Sequence, residues 1–271
     1  MKKKTISKEI FFEGIGLHTG EEAKLRIVPS EKGQIVFIKD HKEVLGHYKN
    51  VKDTMRGVVL EDKGLSIYTV EHLVSALWGM EIDSAEIVLE KGYEVPALDG
   101  SALFFAEAIY NVGYVNIDKE IEYVECDNIT LKMGDKEVSC TPSENSQITY
   151  FIDFPKPIGT QVLLAPLNNA SFYLENIAPA RTFIFDFEVE EVKEMGIAKG
   201  GSLENTVVFK KDGIYNENLR FKDEPVRHKI LDFIGDTALL GKRIKGSVLV
   251  KKAGHREHIA FLKKMEECHG V

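Results

Sequence analysis

The stretch EPVRHKILDFIGDTALLG, residues 224–241, carries the side chains best suited to chemistry. His228, Asp232 and Asp236 recur every four residues, and Pro225 and Gly241 are the residue types that begin and follow a helix. At about 100° per residue the three fall on one strip with Lys229 beside it. Ile230, Leu231, Phe233, Ile234, Ala238 and Leu240 cover most of the remaining surface. A His/Asp pair at i, i+4 puts both side chains on one side of a helix, one turn apart, which is a chelating spacing. Taken alone, such a pair more often marks a solvated helix edge. A helix this apolar is largely buried, however, and a narrow polar edge on a buried helix faces a cleft.

A metal site needs a third ligand. His72 stands out among the other histidines, because it lies in the first turn of a second amphipathic helix, YTVEHLVSALWG, directly after Glu71. Two His and one Asp on rigid helices suit Zn²⁺ with one position left for water, the arrangement of a catalytic rather than a structural site. A metal lowers the pKa of water to about 7, and Glu71 stands where a general base would take the proton. An acid at that position would also interact favourably with the helix N-terminus without any metal. Fe²⁺ accepts the same donors in oxygenases, but those sites leave more positions open and need no adjacent base, so Glu71 favours hydrolysis. Asp236 lies too far along its helix to share the metal and is better placed to orient a histidine. His255, in KKAGHREH, is the candidate: Gly254 permits a sharp turn, and Lys251, Lys252 and Arg256 raise the local positive potential. Without such a partner the same segment reads as an exposed basic loop.

The elements that must position these groups alternate between strands and helices. Residues 22–28 and 34–38 read as strands, 69–79 as a helix capped by Thr69 and ended by Gly79, 84–90 as a strand, and 102–113 as a second helix after the turn LDGS. From about residue 116 the composition becomes charged. Strands resume at 128–133, 137–141, 148–154 and 161–167, followed by a helix-forming stretch at 181–196, a glycine-containing loop and the helix described first. The second half thus repeats the element order of the first, which predicts an α+β protein of two similar domains, 1–118 and 119–271. EGIGLHTG and GIAKGGS fit neither a dinucleotide fingerprint nor a P-loop and read as turns.

The whole-chain properties bound the function. Of 271 residues, 44% are hydrophobic, enough for a sizeable core. Lys plus Arg number 35 and Asp plus Glu 43, a net charge of −8, which argues against general nucleic-acid or membrane-surface binding. Cys126, Cys140 and Cys268 form no CxxC pair and are expected to be reduced. With no apolar run of about 18 residues and no signal-peptide pattern, the expected location is the cytoplasm, without membrane insertion.

Seven segments, in one order, resemble a known family: GLHTG (16–20), TVEH (69–72), EVPALDGSA (94–102), ARTF (180–183), KGGSLENTVV (199–208), HKILD (228–232) and GH (254–255). They are similar to the UDP-3-O-acyl-N-acetylglucosamine deacetylases, the zinc amidases of lipid A synthesis. The resemblance implies two domains, each a sheet with helices, with the helices sandwiched between the sheets and zinc at the junction of a monomer. It implies His72, His228 and Asp232 as zinc ligands, Glu71 as general base, and His255, held by Asp236, as a charged or proton-donating group. Thr182 would help stabilise the oxyanion, and Lys229 and Phe183 would meet the acylated UDP-sugar. The segment 185–201 would form a passage for the acyl chain, lined by Val189, Val192, Met195 and Ile197. Two stretches depart from the family's pattern. Arg56 stands near a position where threonines are common, and REH follows GH where a leucine and an asparagine are common. Both leave the metal set intact and bear on the shape of the cleft.

Overall fold

Alternating apolar residues build two five-stranded sheets of the same topology in the computed structural model, which describes residues 1–269. The first sheet comprises Ile10–Ile15, Glu22–Pro29, Ile35–Lys39, Lys42–Leu45 and Ala85–Lys91. Across it the strands run first, second, fifth, third, fourth, and only the fifth and third are parallel. The second sheet comprises Ile129–Met133, Lys136–Thr141, Gln147–Asp153, Thr160–Pro166 and Ser247–Lys251, in the same order with the same parallel pair. Leu25, Ile27, Ile87 and Leu89 turn inward on one sheet, and Val138, Ile148, Tyr150, Val248 and Val250 on the other, the period of two that a half-buried sheet demands. The repeat expected from element order is therefore a repeat of topology.

A parallel pair needs a crossover, and here each crossover carries one helix of the site. Helix α1 (Glu71–Gly79) lies between the third and fifth strands of the first sheet, and α2 (Leu103–Val112) follows the fifth. In the second half the crossover contains α3 (Ala170–Asn176), α4 (Val189–Glu194) and α5 (Glu224–Ala238), and α6 (His255–His269) follows its fifth strand. Every residue of α1 is buried, so the helix is enclosed between layers instead of lying on a surface. It packs on α5, while α5 and α6 pack on the second sheet and Phe105 of α2 meets Phe12 of the first. The observed α+β architecture, with two sheet-and-helix halves sharing one core, is the one expected. We propose that the halves divide near residue 118, in the last part of the strand Tyr114–Glu120, which pairs with Lys2–Ile6, and ahead of Tyr123–Glu125, which pairs with Arg243–Lys245.

The contact between α1 and α5 is closest at Gly235, where a Cβ would lie 2.2 Å from the carbonyl oxygen of Glu71. Only glycine lets the two backbones meet there. Gly235→Ala is accordingly expected to push the helices apart, at an overpacking cost of about 1–3 kcal/mol, and to lower activity by displacing Glu71. Thermal denaturation and kcat together check this, and an unchanged kcat would show that the site tolerates the displacement.

Several local expectations are corrected. Only Val189–Glu194 of the stretch 181–196 is α-helical. Phe183–Phe185 is a strand parallel to Val207–Lys210, because a run of aromatic and β-branched residues gains more by pairing than by coiling. Thr69 does not cap α1. Its φ is +56°, its hydroxyl donates to Glu94, and Val70 takes the cap position. KKAGHREH is not an exposed loop, since His255 opens α6 and is largely buried.

Candidate active site

The two crossover helices bring three atoms able to bind a metal to one point. His72 Nε2 lies 3.7 Å and His228 Nε2 3.4 Å from Asp232 Oδ1, with the imidazole rings edge to face at 5.0 Å. All three side chains are buried. His228 Nδ1 donates to the carbonyl of Ala180 at 3.0 Å, which fixes the tautomer and leaves Nε2 as a lone pair. Burial pushes His72 down to about 3 and also lowers His228, so both rings are neutral near pH 7. Burial would raise Asp232, but His228, Lys229, His255 and His72 hold it well below the usual carboxylate range. Asp232 Oδ1 has no hydrogen-bond partner. The His228 lone pair, the Nε2 of a second neutral imidazole and a buried, ionised, unpartnered oxygen facing one another fit a cation. Ligands about 2.0–2.1 Å from a tetrahedral ion lie roughly 3.3 Å apart, close to the separations here.

Glu71 is placed beside this trio by the unusual backbone of Thr69, whose hydroxyl bonds to Glu94 at 2.8 Å. The same carboxylate accepts from the backbone of His18 and Thr19, so the GLHTG turn and the start of α1 share one anchor. Glu94 was not singled out from the sequence. Glu71 Oε2 accepts from Val58 N at 2.9 Å, and burial lifts its carboxyl to about 7, a value suited to a base that works near neutrality. His255 Nδ1 donates to Asp236 Oδ2 at 2.8 Å, and its Nε2 is 4.0 Å from Asp232 Oδ2. Burial alone would lower this histidine, but Asp236 and Asp232 raise it to about 10. It is the imidazolium, at the first position of α6, where the helix dipole disfavours a cation and the two carboxylates must compensate. Glu257 accepts from Gly254 N at 3.0 Å and fixes that helix start.

These groups line a cleft of about 450 Å³ that also contains Thr182, Phe183, Lys136, Lys252 and Arg256. Lys229 Nζ sits over the Phe183 ring and bonds to Asp232 Oδ2 at 2.8 Å. Lys136 was missed in the sequence because it is brought in by a distant hairpin. Lys252 is paired with Asp153, and Lys251 is exposed on its strand outside the cleft. Thr182, Phe183, Leu17 and Arg56 are shared with an adjoining apolar cavity of about 360 Å³, walled by Ile184, Val189, Val192, Leu203 and Val208. Met195 is 48% exposed, and neither it nor Ile197 belongs to the wall, because α4 turns that end of the segment outward. Arg56, the residue that departs from the resembled pattern, bonds to Glu188 at 2.7 Å across the mouth.

The chain is similar to known proteins over nearly its whole length. The family model described as UDP-3-O-acyl N-acetylglycosamine deacetylase matches residues 3–267. The UDP-3-O-acyl-N-acetylglucosamine deacetylase of Aquifex aeolicus is 38% identical over 266 residues, covering 97% of this chain and 92% of that protein. The protein of the same name from Syntrophotalea carbinolica is 42% identical over 259 residues, 93% of this chain and 83% of the relative. With a match that spans nearly every element described above, the chain belongs to the UDP-3-O-acyl N-acetylglycosamine deacetylase family.

Proposed function

We propose that the cleft binds one Zn²⁺ on His72, His228 and Asp232 and removes acetate from the 2-acetamido group of a UDP-3-O-(3-hydroxyacyl)-N-acetylglucosamine. The protein is a hydrolase, a UDP-3-O-acyl-N-acetylglucosamine deacetylase of lipid A biosynthesis. The observation that carries the site assignment is the unpartnered, buried Asp232 Oδ1 facing the Nε2 atoms of two neutral imidazoles, with a carboxyl of raised pKa beside them. When bound, the cation supplies Lewis acidity, which makes water acidic near neutral pH and polarises a carbonyl.

The chain's own residues do the rest. Glu71 accepts the proton of the attacking water as the C–O bond forms. The Thr182 hydroxyl donates to the developing oxyanion. His255 gives its proton to the amine nitrogen as the C–N bond breaks, so that acetate and a free amine leave. Asp236 keeps His255 charged and oriented. Lys229 and Phe183 receive the anionic sugar nucleotide, and the cavity behind Val189 and Val192 receives the acyl chain. We take the enzyme to act as a monomer. Among the described residues no helix is long and apolar enough to cross a membrane, and we place the enzyme in the cytoplasm.

The test is acetate release from the acylated sugar nucleotide by purified protein, before and after a strong chelator. Release is expected to stop with the chelator and to return with zinc; return with Fe²⁺ alone would reassign the metal. The same nucleotide without its 3-O-acyl chain is expected to lose kcat as well as affinity, because remote binding energy positions the amide. Equal kcat/KM for the two substrates would discard the acyl passage.

A further inference from the structure

Behind His255 runs a buried line of polar groups that the reaction as described does not use. Asp236 Oδ2 accepts from two imidazoles, His255 Nδ1 at 2.8 Å and His258 Nδ1 at 2.7 Å. His258, one helical turn further along α6, is fully buried, as are Asp236 and Tyr150. Its other nitrogen, Nε2, lies 3.0 Å from Tyr150 Oη, which is itself 2.8 Å from the carbonyl oxygen of Ala253. Phe233 closes the side of the ring at 5.1 Å. The line runs from the second sheet through α6 and α5 to the cleft, and His255 is its cleft end.

A carboxylate with a single donor can rotate about its Cβ–Cγ bond and offer either oxygen. Asp236 has no such freedom while two N–H groups, on successive turns of one helix, converge on the same oxygen; its Oδ1 has no partner at all. The second imidazole lies against a tyrosine hydroxyl whose single proton is shared between His258 Nε2 and the carbonyl of Ala253, immediately before Gly254. The loop that delivers His255 and the carboxylate that orients it therefore share one support.

We propose that His258, backed by Tyr150, is a positioning residue for the deacetylation. It locks Asp236 Oδ2 toward His255 and so fixes the direction in which His255 presents Nε2 to the leaving nitrogen. The proposal rests on the role given to His255 above. Misplacement of a reacting group by about 1 Å can cost about 10²-fold in rate, which sets the expected scale.

The experiment compares His258→Leu, His258→Asn, Tyr150→Phe and His255→Ala in the zinc-loaded enzyme, with zinc content and thermal midpoint recorded for each. His258→Leu is expected to lower kcat about 10- to 100-fold with KM and zinc unchanged. His258→Asn, whose amide N–H can reach the same oxygen, is expected to restore most of that loss, which a packing role would not predict. Adding His258→Leu to His255→Ala should cost little more, because the lock then has nothing to direct. Should His258→Leu fail to fold, Tyr150→Phe keeps the ring and carries the test through a several-fold loss of kcat at constant KM. A wild-type kcat in His258→Leu or in Tyr150→Phe, or no rescue by asparagine, overturns the proposal while His255→Ala remains impaired. Full activity in His255→Ala would instead overturn the role of His255, and the proposal with it.

Discussion

Replacing Asp232 by alanine is expected to strip the enzyme of its metal and of measurable turnover while leaving the fold in place. In the proposed site Asp232 is the one anionic ligand, and its Oδ1 is the atom that both imidazoles face, at 3.4 and 3.7 Å. Loss of a group that merely supports a ligand costs about 10–100-fold in metal affinity, so loss of the ligand itself should exceed that. The fold should survive for a specific reason. Asp232 is held ionised by its neighbours, so its loss costs some stability, but its Oδ1 bonds to nothing and the imidazolium of His255 keeps Asp236 as a partner. The group left behind is Lys229, whose ammonium loses its 2.8 Å partner but is only partly buried and can turn to water. His72→Ala should behave in the same way. Zinc content after equilibrium dialysis, with circular dichroism as the control, decides the matter. Stoichiometric, tightly held zinc in both variants would sink the ligand assignment.

How much of this was legible in the sequence follows the range of the interactions. The helix carrying His228 and Asp232 could be read because its apolar residues and Pro225 act locally, and the chelating spacing is a property of one helix. The role of His72 needed an inference about a second helix. That helix meets α5 through contacts between distant parts of the chain, among them Gly235 against Glu71 and the Ser75 hydroxyl on the Leu231 carbonyl, which no local pattern announces. The misread stretch at 181–196 is similar, since Phe183–Phe185 becomes a strand only because Val207–Lys210 is beside it. Glu94, Tyr150, Lys136 and His258 went unread for the same reason. Each is an ordinary residue in its own segment and acquires a role from partners in another.

Glu71→Gln is expected to keep the metal and lose about 10²–10⁴-fold in kcat, the range typical of a positioned general base. Glutamine is the informative change because its amide oxygen can still accept the Val58 N–H that the carboxylate holds at 2.9 Å, so the side chain stays put and only the capacity to take a proton disappears. The two effects separate cleanly in zinc content against turnover, and near wild-type kcat at full zinc occupancy would remove Glu71 from the mechanism. Stability gives an independent reading. Burial raises the Glu71 carboxyl from its ordinary 4.5 to about 7, so the folded protein binds this proton more tightly than the unfolded chain does. A raised carboxyl stabilises the fold at low pH, and that contribution is lost as pH rises from about 4.5 through about 7. In chelator-treated protein above that window, Glu71→Gln should therefore unfold at a temperature equal to or higher than wild type, although it is inactive. A base held at a stability cost and a merely structural glutamate predict opposite signs here. A lower midpoint for the glutamine variant at pH 8 would show that the charged carboxylate supports the fold, and the reading of Glu71 as a group kept for its proton affinity would fail.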